Sequence, residues 1–180
     1  MSTIKLITTI FIFLFFSTSF AGAQMTISSP DFREGKFIKN TNAFNAFGCS
    51  GENISPAISI KDIPSNAKSL AITIYDPDAP TGSGWWHWVV YNVPTNVTDI
   101  VAGEKIISKE AVFGKNDYGT FKYGGPCPPA GQRRHRYVLS VYALLVETID
   151  LPKDASPALI GYNINSNLIE KASITSYYQR

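Results

Sequence analysis

Short runs dominated by β-branched and aromatic residues recur through the middle of the chain. Ser69 to Tyr75, His87 to Val93 and Arg136 to Leu145 each end near Pro, Gly, Asn or Asp, and they predict three β-strands. Ala57 to Lys61 is a weaker strand candidate. Val101 to Tyr123 carries several glycines and little periodicity, which predicts a long loop with one short strand. Helical signals come late. Ser156-Pro157 offers an N-cap residue followed by proline at the first helical position, ahead of Ala158, Leu159 and Ile160. A second helix is expected over Asn167 to Tyr178, with Leu168, Ile169, Ala172 and Tyr177 as its apolar stripe covering the sheet.

Because side chains alternate across a strand, His135, Tyr137, Leu139 and Val141 are expected on one face of theirs, with Arg136 and Val138 on the other. By the same rule His87 goes with Val89 and Tyr91, and Trp86 and Trp88 face the opposite way. The chain's two histidines thus fall at strand ends, where a pocket mouth can form.

The N-terminus departs from this pattern. Lys5 precedes an apolar run from Ile10 to Phe16, and Ala21-Gly22-Ala23 follows, so the segment reads as a secretory signal peptide cleaved after Ala23. The run is short of the roughly 20 apolar residues that span a bilayer, although an uncleaved anchor is the alternative. Residues 24 to 180 then form one domain, large enough for a hydrophobic core, exported to the periplasm or secreted. Loss of Lys5, the leader's only charged residue, takes the net charge from +2 to +1. A field that weak argues against nucleic acid or an anionic membrane as partner, so any anion recognition must be local. Two cysteines in an exported chain, Cys49 and Cys127, are expected to form a disulfide, the alternative being two buried thiols.

The candidate chemistry lies in two dense clusters. Asp76-Pro77-Asp78-Ala79-Pro80 leads to Trp85-Trp86-His87-Trp88, and Gly125-Pro126-Cys127-Pro128-Pro129 leads to His135-Arg136-Tyr137. Prolines limit the movement of the carboxylates. A carboxylate beside an imidazole favours its charged form and orients the ring, giving a cationic donor for an anion. Tyr137 adds a hydroxyl, and backbone amides around Gly125 and Cys127 can add more. The blander reading has Asp76 capping a turn, both histidines buried as satisfied core residues, and Arg133, Arg134 and Arg136 as a solvated edge.

These motifs, together with Asn53-Ile54-Ser55-Pro56, resemble the phosphatidylethanolamine-binding protein family, and the wording looks most like its bacterial, Raf-kinase-inhibitor-like branch. The resemblance covers essentially all of the mature chain. It implies a mainly β fold, an antiparallel β-sandwich of Greek-key type with peripheral and C-terminal helices. It also implies a small pocket for phosphate-type groups, including phosphorylethanolamine. Carried over by motif position, the ligand-binding residues are Asp76, His87, Pro129, His135 and Tyr137, with Asp78 and Trp86 in support. Asn165 and Asn167 stand where related bacterial chains carry histidine, so that region receives no binding role.

The function expected from these observations is exported, non-enzymatic binding of a phosphate-containing small ligand or phospholipid head group. Both histidines and Tyr137 would donate to it. No cofactor, metal or nucleic acid is implied; a protein partner is unnamed, and a homodimer is allowed. A protein-interaction module, such as a protease inhibitor or host-directed effector, is the alternative. An Asp/His hydrolase is a weaker one, since neither Gly-x-Ser-x-Gly nor His-Glu-x-x-His occurs.

Overall fold

The computed structural model describes residues 23–180, so the expected leader lies outside the described residues except for Ala23. In chain order the elements are β1 (Thr26–Ser28), β2 (Ile58–Lys61), β3 (Ser69–Asp76), β4 (Trp85–Val93), β5 (Asp99–Ile100), β6 (Val112–Phe113), β7 (His135–Leu144), α1 (Pro157–Ser166) and β8 (Leu168–Tyr178). They form two antiparallel sheets, one ordered β1-β2-β5 and the other β6-β4-β3-β7-β8.

The larger sheet is buried on both faces, which is why its central strands are apolar nearly throughout. One face carries Leu70, Ile72, Ile74, Val90, Leu139 and Val141 and packs on Ile58, Ile60 and Ile100 of the smaller sheet. Val89, Tyr91, Tyr142 and Leu144 on the other face meet Ile160 and Ile164 of α1. Each fully buried aliphatic side chain contributes roughly 1.5–3 kcal/mol relative to leaving it in water. The helix starts as its sequence predicts: Ser156 Oγ accepts from the Leu159 amide at 3.2 Å, and Pro157 occupies the first turn.

The second expected helix is not one. Residues 168–178 are β8, paired with β7 from Leu144↔Leu168 to His135↔Tyr178. Leu168, Ile169 and Ala172 imitate helical spacing. Ser173, Ile174, Thr175, Ser176, Tyr177 and Tyr178 carry the hydroxyl, β-branched and aromatic side chains that suit a pleated surface, and the long ladder to β7 decides between the two. Ile174 and Ser176, two residues apart, are buried, which is strand periodicity.

The expected phase of β4 also changes, at two register shifts against β3, and the one between Ile74 and Tyr75 decides the place of His87. Ile74 pairs with Trp88 and Tyr75 with Trp86, leaving His87 as an extra residue opposite no partner. This β-bulge breaks the alternation, because an inserted residue shifts every side chain after it to the other face. His87 therefore does not share the face of Val89 and Tyr91. It turns toward Tyr137, with ring centroids 5.1 Å apart, while Trp86 packs on Tyr75 at 4.7 Å on the α1 side.

Candidate functional site

A pocket of about 210 Å³ opens where β3 ends, β4 begins and β7 begins. Asp76, His87, His135 and Tyr137 form its polar floor, and Trp85, Tyr118, Phe47 and Pro129 stand among its apolar walls. Pockets for drug-sized ligands run from roughly 300 Å³ upward, so this one suits a small chemical group.

Five of the seven expected ligand-binding residues meet here: Asp76, His87, Pro129, His135 and Tyr137. Trp86 does not; it lies under α1, and its neighbour Trp85 lines the pocket instead. Asp78 does not line the pocket either. Its Oδ2 accepts from the backbone N–H and Nε of Arg136, both at 2.9 Å, and its Oδ1 accepts from Arg136 Nη2 at 2.9 Å and Arg133 Nη2 at 3.3 Å. Those bonds, the Arg136 side chain first, hold the Asp78 carboxyl down at about 2.

Asp76 combines two roles that the sequence offered as alternatives. Its Oδ1 accepts from the Asp78 amide at 2.8 Å, which caps the turn, and its Oδ2 accepts from His135 Nδ1 at 2.8 Å. Both side chains of the Asp76–His135 pair are 2–3% exposed, so a buried charge has a hydrogen-bonded partner. His135 Nε2 lies 3.0 Å from Gln132 Oε1, so the ring meets an oxygen at each end.

His87 behaves differently. Its Nδ1 is 2.7 Å from the Gly124 carbonyl oxygen, which can only accept, so the proton sits on Nδ1 and Nε2 carries a lone pair. Burial pushes this histidine down to about 4, outweighing the Gly124 bond and the Asp76 charge that favour protonation. The expectation of a cationic donor fails for His87, because desolvation wins. The hydroxyl of Tyr137 has no hydrogen-bond partner among the described residues; burial first, and then Asp76, raise its pKa and keep it an un-ionised donor.

Two of the loop amides are spent on structure, whereas the Cys127 amide has no hydrogen bond among the described residues. Gly124 N–H donates to the His87 carbonyl at 3.0 Å, and Gly125 N–H donates to Asn53 Oδ1 at 2.7 Å. The cysteines do pair: Cys49 and Cys127 form a disulfide that closes 78 residues and ties Phe47's loop to the pocket wall. Tyr118 stacks on Phe44 at 4.2 Å and donates to the Gly125 carbonyl at 2.9 Å. Sequence reasoning missed Tyr118 and Gln132, since both lie in aperiodic loops. Trp85 could have been found by counting two residues back from His87 along the strand, which places the two on one face.

Fold and site together define a class of binding protein: an antiparallel β-sandwich whose central strands end at a small pocket floored by an aspartate, two histidines and a tyrosine. Over residues 28–179 the chain matches the family model described as phosphatidylethanolamine-binding protein. It is 42% identical over 179 residues to the UPF0098 protein YbcL of Escherichia coli strain K12, covering 97% of each chain. To YbhB of the same organism it is 40% identical over 158 residues, covering 86% of this chain and 99% of that protein. The crystal structure of E. coli YbcL, titled a new member of the mammalian PEBP family, superposes with a TM-score of 0.85 at 40% identity, covering 88% of this chain and 99% of the other. The chain belongs to the phosphatidylethanolamine-binding protein family.

Proposed function

We propose that this is an exported, non-enzymatic binding protein whose strand-end pocket holds a phosphate group, free or as part of a head group such as phosphorylethanolamine. One observation carries the reading. The Tyr137 hydroxyl is buried without a hydrogen-bond partner among the described residues, and the His87 ring, bonded to the protein through Nδ1, stands beside it in a cavity sized for one small polar group. Unpaired buried polar groups are costly, and a bound ligand that pairs them recovers the loss. The wall's sulfur is committed to a disulfide, which removes a thiolate nucleophile and favours binding over turnover. The same disulfide supports export, since such bonds persist in oxidising compartments.

Isothermal titration with phosphorylethanolamine tests the pocket. Binding is expected for the wild type and lost in His87→Ala and His135→Ala; unchanged affinity in both variants rejects the assignment. Fractionation of expressing cells, with mass analysis of the protein for a start at Gln24, tests export.

A further inference from the structure

We propose that the pocket selects oxyacids that still carry a proton, taking phosphate monoesters in their hydrogenphosphate form ahead of phosphodiesters. This rests on the phosphate reading above and sharpens it to a ligand class. The argument is an inventory of donors and acceptors. The Gly124 carbonyl at 2.7 Å fixes the proton on His87 Nδ1, so what His87 offers the cavity is the Nε2 lone pair. Asp76, at the end of β3, has each carboxylate oxygen engaged, one by the Asp78 amide and one by His135. The Tyr118 hydroxyl is spent on the Gly125 carbonyl. Tyr137, from β7, brings an unpaired hydroxyl beside His87.

With the indole N–H of Trp85 on the wall, which is likewise buried without a partner among the described residues, one acceptor and two donors line the same small cavity. A hydrogenphosphate matches this set: its P–OH donates to His87 Nε2, and its anionic oxygens accept from the Tyr137 O–H and the Trp85 N–H. A phosphodiester has no P–OH and brings an anionic oxygen against the lone pair. It fits only after the ring takes up a proton, which burial resists down to about 4. The second ionisation of a phosphate monoester falls near 6, so the proton resides on the ligand about two pH units more readily than on the ring. That difference favours the monoester.

The test titrates the full mature chain at about pH 6, near the monoester's second ionisation, with four probes: phosphorylethanolamine, glycerophosphorylethanolamine, inorganic phosphate and inorganic sulfate. Sulfate has the shape of phosphate but no proton to give. The expected result is that the monoester and phosphate bind at least about tenfold more tightly than the diester and sulfate, a conservative floor on the proton-affinity difference. Equal affinity within each pair overturns the proton selection while leaving the phosphate pocket standing. No binding by any of the four rejects the pocket reading itself. A glycerol phosphate titration beside flotation with phosphatidic acid vesicles separates a free ester from a lipid source of the same monoester.

His87→Gln, which supplies an amide donor, is expected to close the gap between monoester and diester. Should that variant not fold, long-range ¹H–¹⁵N spectra of the wild type serve instead. They are expected to report a neutral His87 protonated on Nδ1, and a ring protonated on both nitrogens in the free protein overturns the proposal.

Discussion

Asp78 holds Arg136 by three hydrogen bonds of 2.9 Å each, two to the guanidinium and one to the backbone amide. Arg136 stands between His135 and Tyr137, so these bonds fasten the loop after β3 to the strand residues that floor the pocket. The carboxylate is 7% exposed, and removing an acceptor of charge-assisted bonds from such a place leaves donors unpaired.

Asp78→Ala is expected to lower stability by about 1–3 kcal/mol and to weaken phosphate binding without removing a ligand contact. Arg133 reaches the same carboxylate from a side chain 82% exposed, so Arg133→Ala is expected to change stability by less than about 1 kcal/mol. Urea midpoints of the two variants check the contrast. The folded-state pKa of Asp78 lies below its unfolded value, so its stabilisation is complete above about pH 4 and is lost as pH falls through about 2.

His87 titrates in a separate, higher window. Its folded pKa of about 4 is depressed from 6.5, so below about pH 6.5 the unfolded chain binds a proton that the native protein refuses. Stability is therefore expected to fall from about pH 6.5 to 4, by up to about 3 kcal/mol. Urea unfolding of the wild type and His87→Gln across this range checks it: the variant's curve should lose that slope.

The difference in how the histidines were legible is instructive. Strand alternation from the sequence put His135 and Tyr137 together, and β7 does so, because its pairing with β8 is unbroken from His135↔Tyr178 to Ala143↔Glu170. For His87 the same rule chose the wrong face, because the bulge at Ile74/Tyr75 inserts one residue and no Gly or Pro in β4 announces it. The Ser156-Pro157 start of α1 was readable because a cap is local chemistry. The strand character of β8 was not, since its state depends on a ladder to residues more than twenty positions earlier in the chain. Tyr118 reaches the pocket, and Gln132 reaches His135, through loops whose course no period encodes.

The disulfide is expected to contribute both to stability and to the pocket. Closing 78 residues limits the unfolded chain by about 4 kcal/mol in the loop-entropy description. Phe47 and Cys127 also line the cavity. Cys49→Ser/Cys127→Ser is expected to unfold at lower urea and to bind phosphorylethanolamine several-fold more weakly. A denaturation midpoint unchanged from wild type would show that the crosslink adds nothing.

Two glycines provide a steric contrast. A Cβ at Gly125 would overlap the backbone of Asn42 and Ala43, which cannot yield as a flexible side chain would. Gly125→Ala is expected to cost about 3 kcal/mol or more, or to prevent folding. Gly82 has φ +80 but open space around it, so Gly82→Ala carries only the left-handed backbone cost of about 1–2 kcal/mol. Thermal unfolding ranks the pair.

The two adjacent tryptophans separate binding from packing. Trp85 lines the pocket and packs edge-on against Tyr118 at 5.3 Å, whereas Trp86 sits on the opposite side of the sheet against Tyr75 and α1. A ligand filling the cavity therefore changes the surroundings of Trp85 and not those of Trp86. Fluorescence changes on adding phosphorylethanolamine are expected to disappear in Trp85→Phe and persist in Trp86→Phe. Trp86→Phe instead loses buried area on the helix side, at a cost of about 1–3 kcal/mol visible in urea unfolding. A ligand signal that vanishes with Trp86 and survives loss of Trp85 would put the binding site on the wrong face of the sheet for the pocket described.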